Sequence, residues 1–183
     1  VAVQDGHVIV SDTVDVAPVF HVPENVDFSV GNIRFPGAVH IGGDVLEGFQ
    51  VEAEGSIIVR GSVVGATVIS YGGDVEVRQG IRGPGQVRVE APRGTVKAKF
   101  VENATVRAVE LQVADAILHS NVTVEKSVRV HRRDGRIAGG RIVAGELIES
   151  GFIGSVHATR TELILQSPPD GGTLAAPPSG VVK

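Results

Sequence analysis

The sequence predicts an all-β chain wound into a parallel β-helix of three-sided coils, each about eighteen residues long. Three observations carry that expectation. Between Gly31 and Gly83, short apolar-alternating pieces (Ile33/Phe35, Val39/Ile41, Val51/Ala53, Ile57/Val59, Val75/Val77) are each punctuated by glycine, which is the period of a strand and not of a helix. Gly37, Gly55 and Gly73 are evenly spaced, and so are Gly43 and Gly61, at the length of one coil. Aromatic residues make up only 4% of the chain, with no Trp and Tyr71 as the single tyrosine, so the core must be built from small β-branched side chains that suit thin, stacked strands.

Residues 1–25 read as a hairpin or capping segment. Asp5-Gly6 is a two-residue turn signal ahead of His7-Val8-Ile9-Val10, and Val14, Val16 and Val19 continue an extended pattern to Pro23. The end coil of a stacked β structure exposes unpaired N–H and C=O groups, and a hairpin there would cover them.

Residues 26–165 read as the β-helix itself. Gly48, Gly65, Gly83, Asn103, Asn121 and Gly139 recur at about one-coil intervals, and Gly and Asn are the residues that tolerate a left-handed backbone. This column is therefore the expected positive-φ corner of the coil. Asn103 and Asn121 are expected to stack as a short amide ladder. The strands that follow align as Val106/Ala108, Val124/Lys126 and Ile142/Ala144, an inward apolar column in which Lys126 stands as an exception. Two inward residues per strand, as in Ile57 and Val59, also separate this coil from the left-handed hexapeptide helices of acyltransferases, which place one aliphatic residue on each face. The right-handed type fits better. Residues 166–183, with Pro168, Pro169, Pro177 and Pro178, preclude a regular ladder and read as a Pro/Gly-rich tail or linker.

Composition narrows the function classes. The chain has 183 residues, 42% hydrophobic, enough for one sizeable core or one elongated repeat unit. Without cysteine it can form no disulfide or thiolate metal site and do no thiol redox chemistry. A net charge of −4 offers no general attraction for nucleic acid or an anionic membrane surface. No apolar run approaches the roughly 20 residues needed to span a bilayer, and VAVQDGH lacks the basic and apolar regions of a signal peptide. The chain reads as soluble. The lack of any Met, even at position one, predicts a piece of a longer or processed protein.

Several irregular motifs occur in order: NVDFSVGNIRFPGAVHIGGDV (Asn25 to Val45), LEGFQVEAEGSIIVRGSVVGA (Leu46 to Ala66), KFVENATV (Lys99 to Val106), ILHSNV (Ile117 to Val122), GGRIVAG (Gly139 to Gly145) and IGS (Ile153 to Ser155). Together they resemble the bacterial flagellar assembly protein A family, over about Asp5 to Ile164. The resemblance implies a right-handed single-stranded parallel β-helix in a cytoplasmic protein of flagellar assembly or placement and motility. It brings no established catalytic residues. Family members usually carry a domain before the β-helix and a coiled coil after it, and no heptads stand in the tail here. His131-Arg132-Arg133-Asp134-Gly135 replaces the Gly/Lys-rich turn usual in the family.

The six histidines, His7, His21, His40, His119, His131 and His157, include no i, i+4 pair and no HExxH, so no metal site is expected. His40 and His157 fall at outward, solvated positions, and His119 reads as a corner residue bonding backbone beside the Asn column. Glu47, Glu52, Glu54, Asp74 and Glu76 are spread along the helix, and only adjacent rows could bring Glu52 near Glu76 in the manner of a polysaccharide-cleaving pair. The glycine-rich pieces Gly42 to Gly48 and Gly80 to Gly85 lack the lysine and hydroxyl of a phosphate loop and read as corners. Asn103 and Asn121 match glycosylation sequons, which their place in the Gly column already explains.

One charge concentration remains. Arg129, His131, Arg132, Arg133 and Arg136, with Arg141 nearby, read as a solvated loop or as the contact for an acidic partner protein, where rim charge chiefly sets the association rate. The expected function is thus a non-enzymatic scaffold with protein partners, no cofactor, no catalytic or metal residues and no membrane insertion. The alternatives are a self-assembling, cytoskeleton-like homo-oligomer joined through coil ends and, more weakly, a carbohydrate-active β-helix enzyme.

Overall fold

The computed structural model of the protein describes residues 6–10, 14–155 and 159–166, and no helix occurs among them. His157 and the tail from residue 167 onward lie outside the described residues. The strands in chain order are β1 (Gly6–Val10), β2 (Val14–Val22), β3 (Ile33–Phe35), β4 (Ala38–Ile41), β5 (Gln50–Ala53), β6 (Ile57–Val59) and β7 (Val63–Val64). They continue as β8 (Thr67–Ser70), β9 (Val75–Val130), β10 (Arg136–Ala144), β11 (Leu147–Glu149), β12 (Phe152–Ile153) and β13 (Thr161–Leu165). They form a parallel β-solenoid of about 7 turns.

Each turn passes through three faces. On face A, β2, β4, β6 and the Val75–Val77 part of β9 pair in parallel, and β11 lies on the Ser127–Arg129 part of β9. Face B is the narrow one, carrying Val26, Val45, Val63 and Ile81 in a column and later Ile117, Ile137 and Ile153. On face C, β3, β5, β8 and the Thr67-paired stretch of β9 follow one another, and β10 and β13 close the stack. β9 turns from face to face without losing its ladder, which is why it extends over so long a run.

The inward side of every face is apolar. Val39, Val59, Val75, Val51, Val68, Val89, Ile117 and Ile142 are fully or almost fully buried. Each such side chain contributes roughly 1.5–3 kcal/mol once covered. A single coil cannot bury its own inner face, so the energy appears only on stacking. Buried polar groups are matched: Ser70 Oγ donates to Gly55 O (2.8 Å) and accepts from Gly73 N (3.1 Å). Corner side chains also stitch coil to coil. Asn25 Oδ1 accepts from Asp44 N (2.8 Å), and Asp44 Oδ1 accepts in turn from Ser62 N (2.7 Å).

At the N-terminal end β1 runs antiparallel to β2 with Val10 opposite Val14; Asp5 of the Asp5-Gly6 turn signal lies outside the described residues. The second half of β2 is already part of the stack, with Val19 to Val22 paired in parallel to Ala38 to Ile41. The solenoid ladder thus starts within the stretch assigned to the hairpin.

The corner column needs correction at two of its six positions. Positive φ occurs at Gly48 (84°), Gly65 (61°), Asn103 (49°) and Gly139 (72°), but the residue between Asn103 and Gly139 is His119 (47°) and not Asn121. Asn121 lies in the ladder opposite Arg141, two steps past the corner. The reason is coil length. Ala104 N donates to Ser120 Oγ (3.3 Å) across a separation of 16 residues, so counting a full coil from Asn103 overshoots. Gly83 occupies the column, close against Gly65, without a left-handed backbone. The same shift removes the amide ladder and the anomaly at Lys126. Ile142 pairs with Val122, so the inward pair is Val122/Val124, both buried, and Lys126 points to solvent.

Candidate interaction surface

The basic loop is built by an extended connection between face A and face B. One coil earlier the chain passes from Val113 to Ile117; here it takes the longer path from Val130 to Ile137, which stands opposite Ile117. His131 N and Arg132 N still donate to Val113 O (2.9 Å) and Ala114 O (3.0 Å), so the surplus is pushed outward over Arg132 to Asp134. Gly135 closes the loop, its N–H donating to Arg132 O (2.8 Å). A Cβ at Gly135 would stand 2.5 Å from Val130 Cγ1 and 2.7 Å from Arg132 O, so the turn has room for glycine alone.

The arginines are not equivalent. Arg132 bridges two carboxylates, Nη1 to Asp115 Oδ1 at 3.3 Å and Nε to Asp134 Oδ1 at 3.1 Å. The hydrogen bond to Asp115, then the charges of Asp134 and Asp115, raise its pKa above the ordinary guanidinium value. Arg129 hydrogen-bonds Ser127 Oγ (3.0 Å) and reaches Glu149 at 3.7 Å. Arg133 and Arg136 are exposed and make no ion pair among the described residues. Asp115, Ala116, Leu118, Arg132, Asp134 and Arg136 line an open hollow of about 290 Å³.

Sequence reasoning missed one neighbour. Phe152, 57% exposed, stands opposite Arg136 in the parallel ladder on face B. An exposed aromatic beside an unpaired guanidinium is the residue combination that anchors protein interfaces. No local motif marks Phe152, because the pairing spans one whole coil.

The other candidates are dispersed. Glu52 lies on face C and Glu76 on face A, so those carboxylates do not converge. Glu52 is instead engaged by Arg34 (3.6 Å) and by Tyr71 Oη (3.2 Å). Burial, then the hydrogen bond to Glu52, raises the Tyr71 phenol. His21 and His40 meet edge to face with ring centroids 5.0 Å apart. Among the described residues no group of three or more His, Cys, Asp or Glu could hold a metal ion, and no helix is long and apolar enough to cross a membrane. A larger hollow of about 510 Å³ on face C is lined by Arg88, Glu90, Thr105, Arg107 and Thr123 among others, but Arg88 and Glu90 neutralise one another at 2.8 Å.

The comparison with protein families agrees with this architecture: a model described as FapA, Flagellar Assembly Protein A beta solenoid domain, matches residues 18–170. The chain belongs to this family. The match begins beside Val19, where the flagellar assembly protein A solenoid takes up its parallel ladder. No curated protein and no solved structure matches the chain.

Proposed function

We propose that this chain is a non-enzymatic scaffold of bacterial flagellar assembly or placement, working in the cytoplasm and contacting an acidic partner protein through the loop from Arg129 to Arg136. Membership of the flagellar assembly protein A family supports the process. The observation that carries the contact is the pair of unpaired guanidiniums, Arg133 and Arg136, beside exposed Phe152, on a rod whose other arginines include several held by carboxylates. The solenoid fixes the backbone that carries those groups, which lowers the ordering cost to that of the side chains, so the loop presents charge for steering and an aromatic anchor for affinity.

The test compares wild type with Arg133→Glu/Arg136→Glu in affinity capture from motile cells and in swimming assays. A retained acidic protein that is lost from the double variant, together with reduced swimming, is the expected outcome. If the folded double variant keeps both the captured protein and full motility, the loop is not the contact.

A further inference from the structure

The exposed large apolar side chains of this rod collect at its two ends. Phe20, Phe28 and Val30 lie in the first coil, and Leu147, Phe152, Ile153 and Leu165 in the last; among the described residues between them only Tyr71 is of this kind. Among the described residues, the two ends are also the two edges of one sheet on face C that carry no further strand. Among the described strands β3 pairs only with β5, and β13 only with β10. β1 pairs antiparallel with Val14 to Pro18 of β2, ahead of the Val19 to Val22 part that lies on face A.

The hydrogen-bonding groups of these edges are complementary. Gln166 N donates to Ala144 O (2.8 Å), so by alternation Glu162 and Ile164 face β10 while the N–H and C=O of Leu163 and Leu165 point away from the stack. At the other end Glu54 N donates to Phe35 O (3.1 Å), so Ile33 and Phe35 face β5 while Arg34 points away. With Leu163 set opposite Ile33, the outward groups of Leu163 and Leu165 meet those of Asn32 and Arg34 in the parallel pattern used throughout the rod. The same register continues the inward column, Leu163 onto Ile33 and Leu165 onto Phe35. It also matches charge. Each edge ends in an ion pair, Arg141 with Glu162 (3.9 Å) and Arg34 with Glu52 (3.6 Å), so the junction sets the carboxylate of Glu162 diagonally across from the guanidinium of Arg34.

We propose that the solenoid binds a second copy of itself head to tail, with β13 of one copy adding in parallel to β3 of the next. Such a contact is heterologous, and repeating it builds an open filament and not a closed dimer. The reading does not depend on the partner loop proposed above.

Two variants block one edge each while leaving the rod's own ladder whole. Leu165→Pro removes an N–H that points away from β10, and Arg34→Pro removes one that points away from β5; proline is tolerated on such edges. Circular dichroism and thermal melting confirm that each variant is folded. In sedimentation velocity the wild-type chain is expected to give a coefficient that rises with concentration, and each variant alone a concentration-independent monomer. An equimolar mixture of the two is expected to form a dimer, because each supplies the edge the other lacks. A wild-type monomer at every concentration overturns the proposal. So does self-association of Arg34→Pro alone, which would show that two C-terminal ends meet.

Discussion

Gly139 lies against His119 at one corner of the solenoid: a Cβ on Gly139 would stand 2.6 Å from the imidazole Nδ1. Both residues are left-handed, at φ 72° and 47°. Gly139→Ala therefore adds a contact that the ring must yield to and a backbone strain of about 1–2 kcal/mol. For a chain of this size each kcal/mol lowers the melting midpoint by about 2–4 °C. His119→Gly removes the ring and the strain together and is expected to leave the midpoint unchanged or raise it. Thermal denaturation of the two variants and of their combination checks both statements.

The shifted register predicts which of two neighbouring side chains matters. Val124 is 4% exposed, whereas Lys126 is open to solvent. Val124→Ala is expected to cost about 1–3 kcal/mol, and Lys126→Ala to stay within about 0.5 kcal/mol. Urea denaturation measures both. A larger loss at Lys126 would show that the coil follows the even eighteen-residue count after all.

Ser70 is buried without exposure, and its hydroxyl joins Gly55 O to Gly73 N at a turn of the coil. Ser70→Ala leaves a carbonyl and an amide with one partner fewer. The expected destabilisation is about 1–3 kcal/mol, with faster hydrogen exchange at the Gly73 amide as the local signature.

Asp27 accepts hydrogen bonds from Ser29 Oγ (2.6 Å) and Ser29 N (2.8 Å). These bonds to the side chain and backbone of Ser29 hold its pKa below the ordinary value of 3.8. A depressed folded-state pKa makes a contribution that is fully present above 3.8 and is lost as pH falls through the folded value. Carboxylate NMR titration should place Asp27 below 3.8, and Ser29→Ala should move it back toward that value.

Much of the architecture was readable along the chain because a stacked coil writes its period into sequence. Gly37, Gly55 and Gly73 recur in step with the ladder in which Val39, Ile57 and Val75 succeed one another. The count failed where coil length changed. Between Asn103 and Gly139 the corner passed to His119, which a count of glycine and asparagine alone does not pick out. The basic loop was visible as a cluster of arginines, but its division into paired Arg132 and unpaired Arg133 and Arg136 depends on Asp115, which stands one coil away at 3.3 Å.

Sequence alone determined the strand period, the inward apolar columns and the corner residues that glycine marks, because each is a local demand of backbone sterics or burial. Only the tertiary structure decided the register between coils of unequal length, the placement of Phe152 beside Arg136, and which described strands, β3 and β13, end the stack on face C. Those relations join residues about one coil or more apart, and the hydrogen-bond ladder that sets them exists only when coils are stacked.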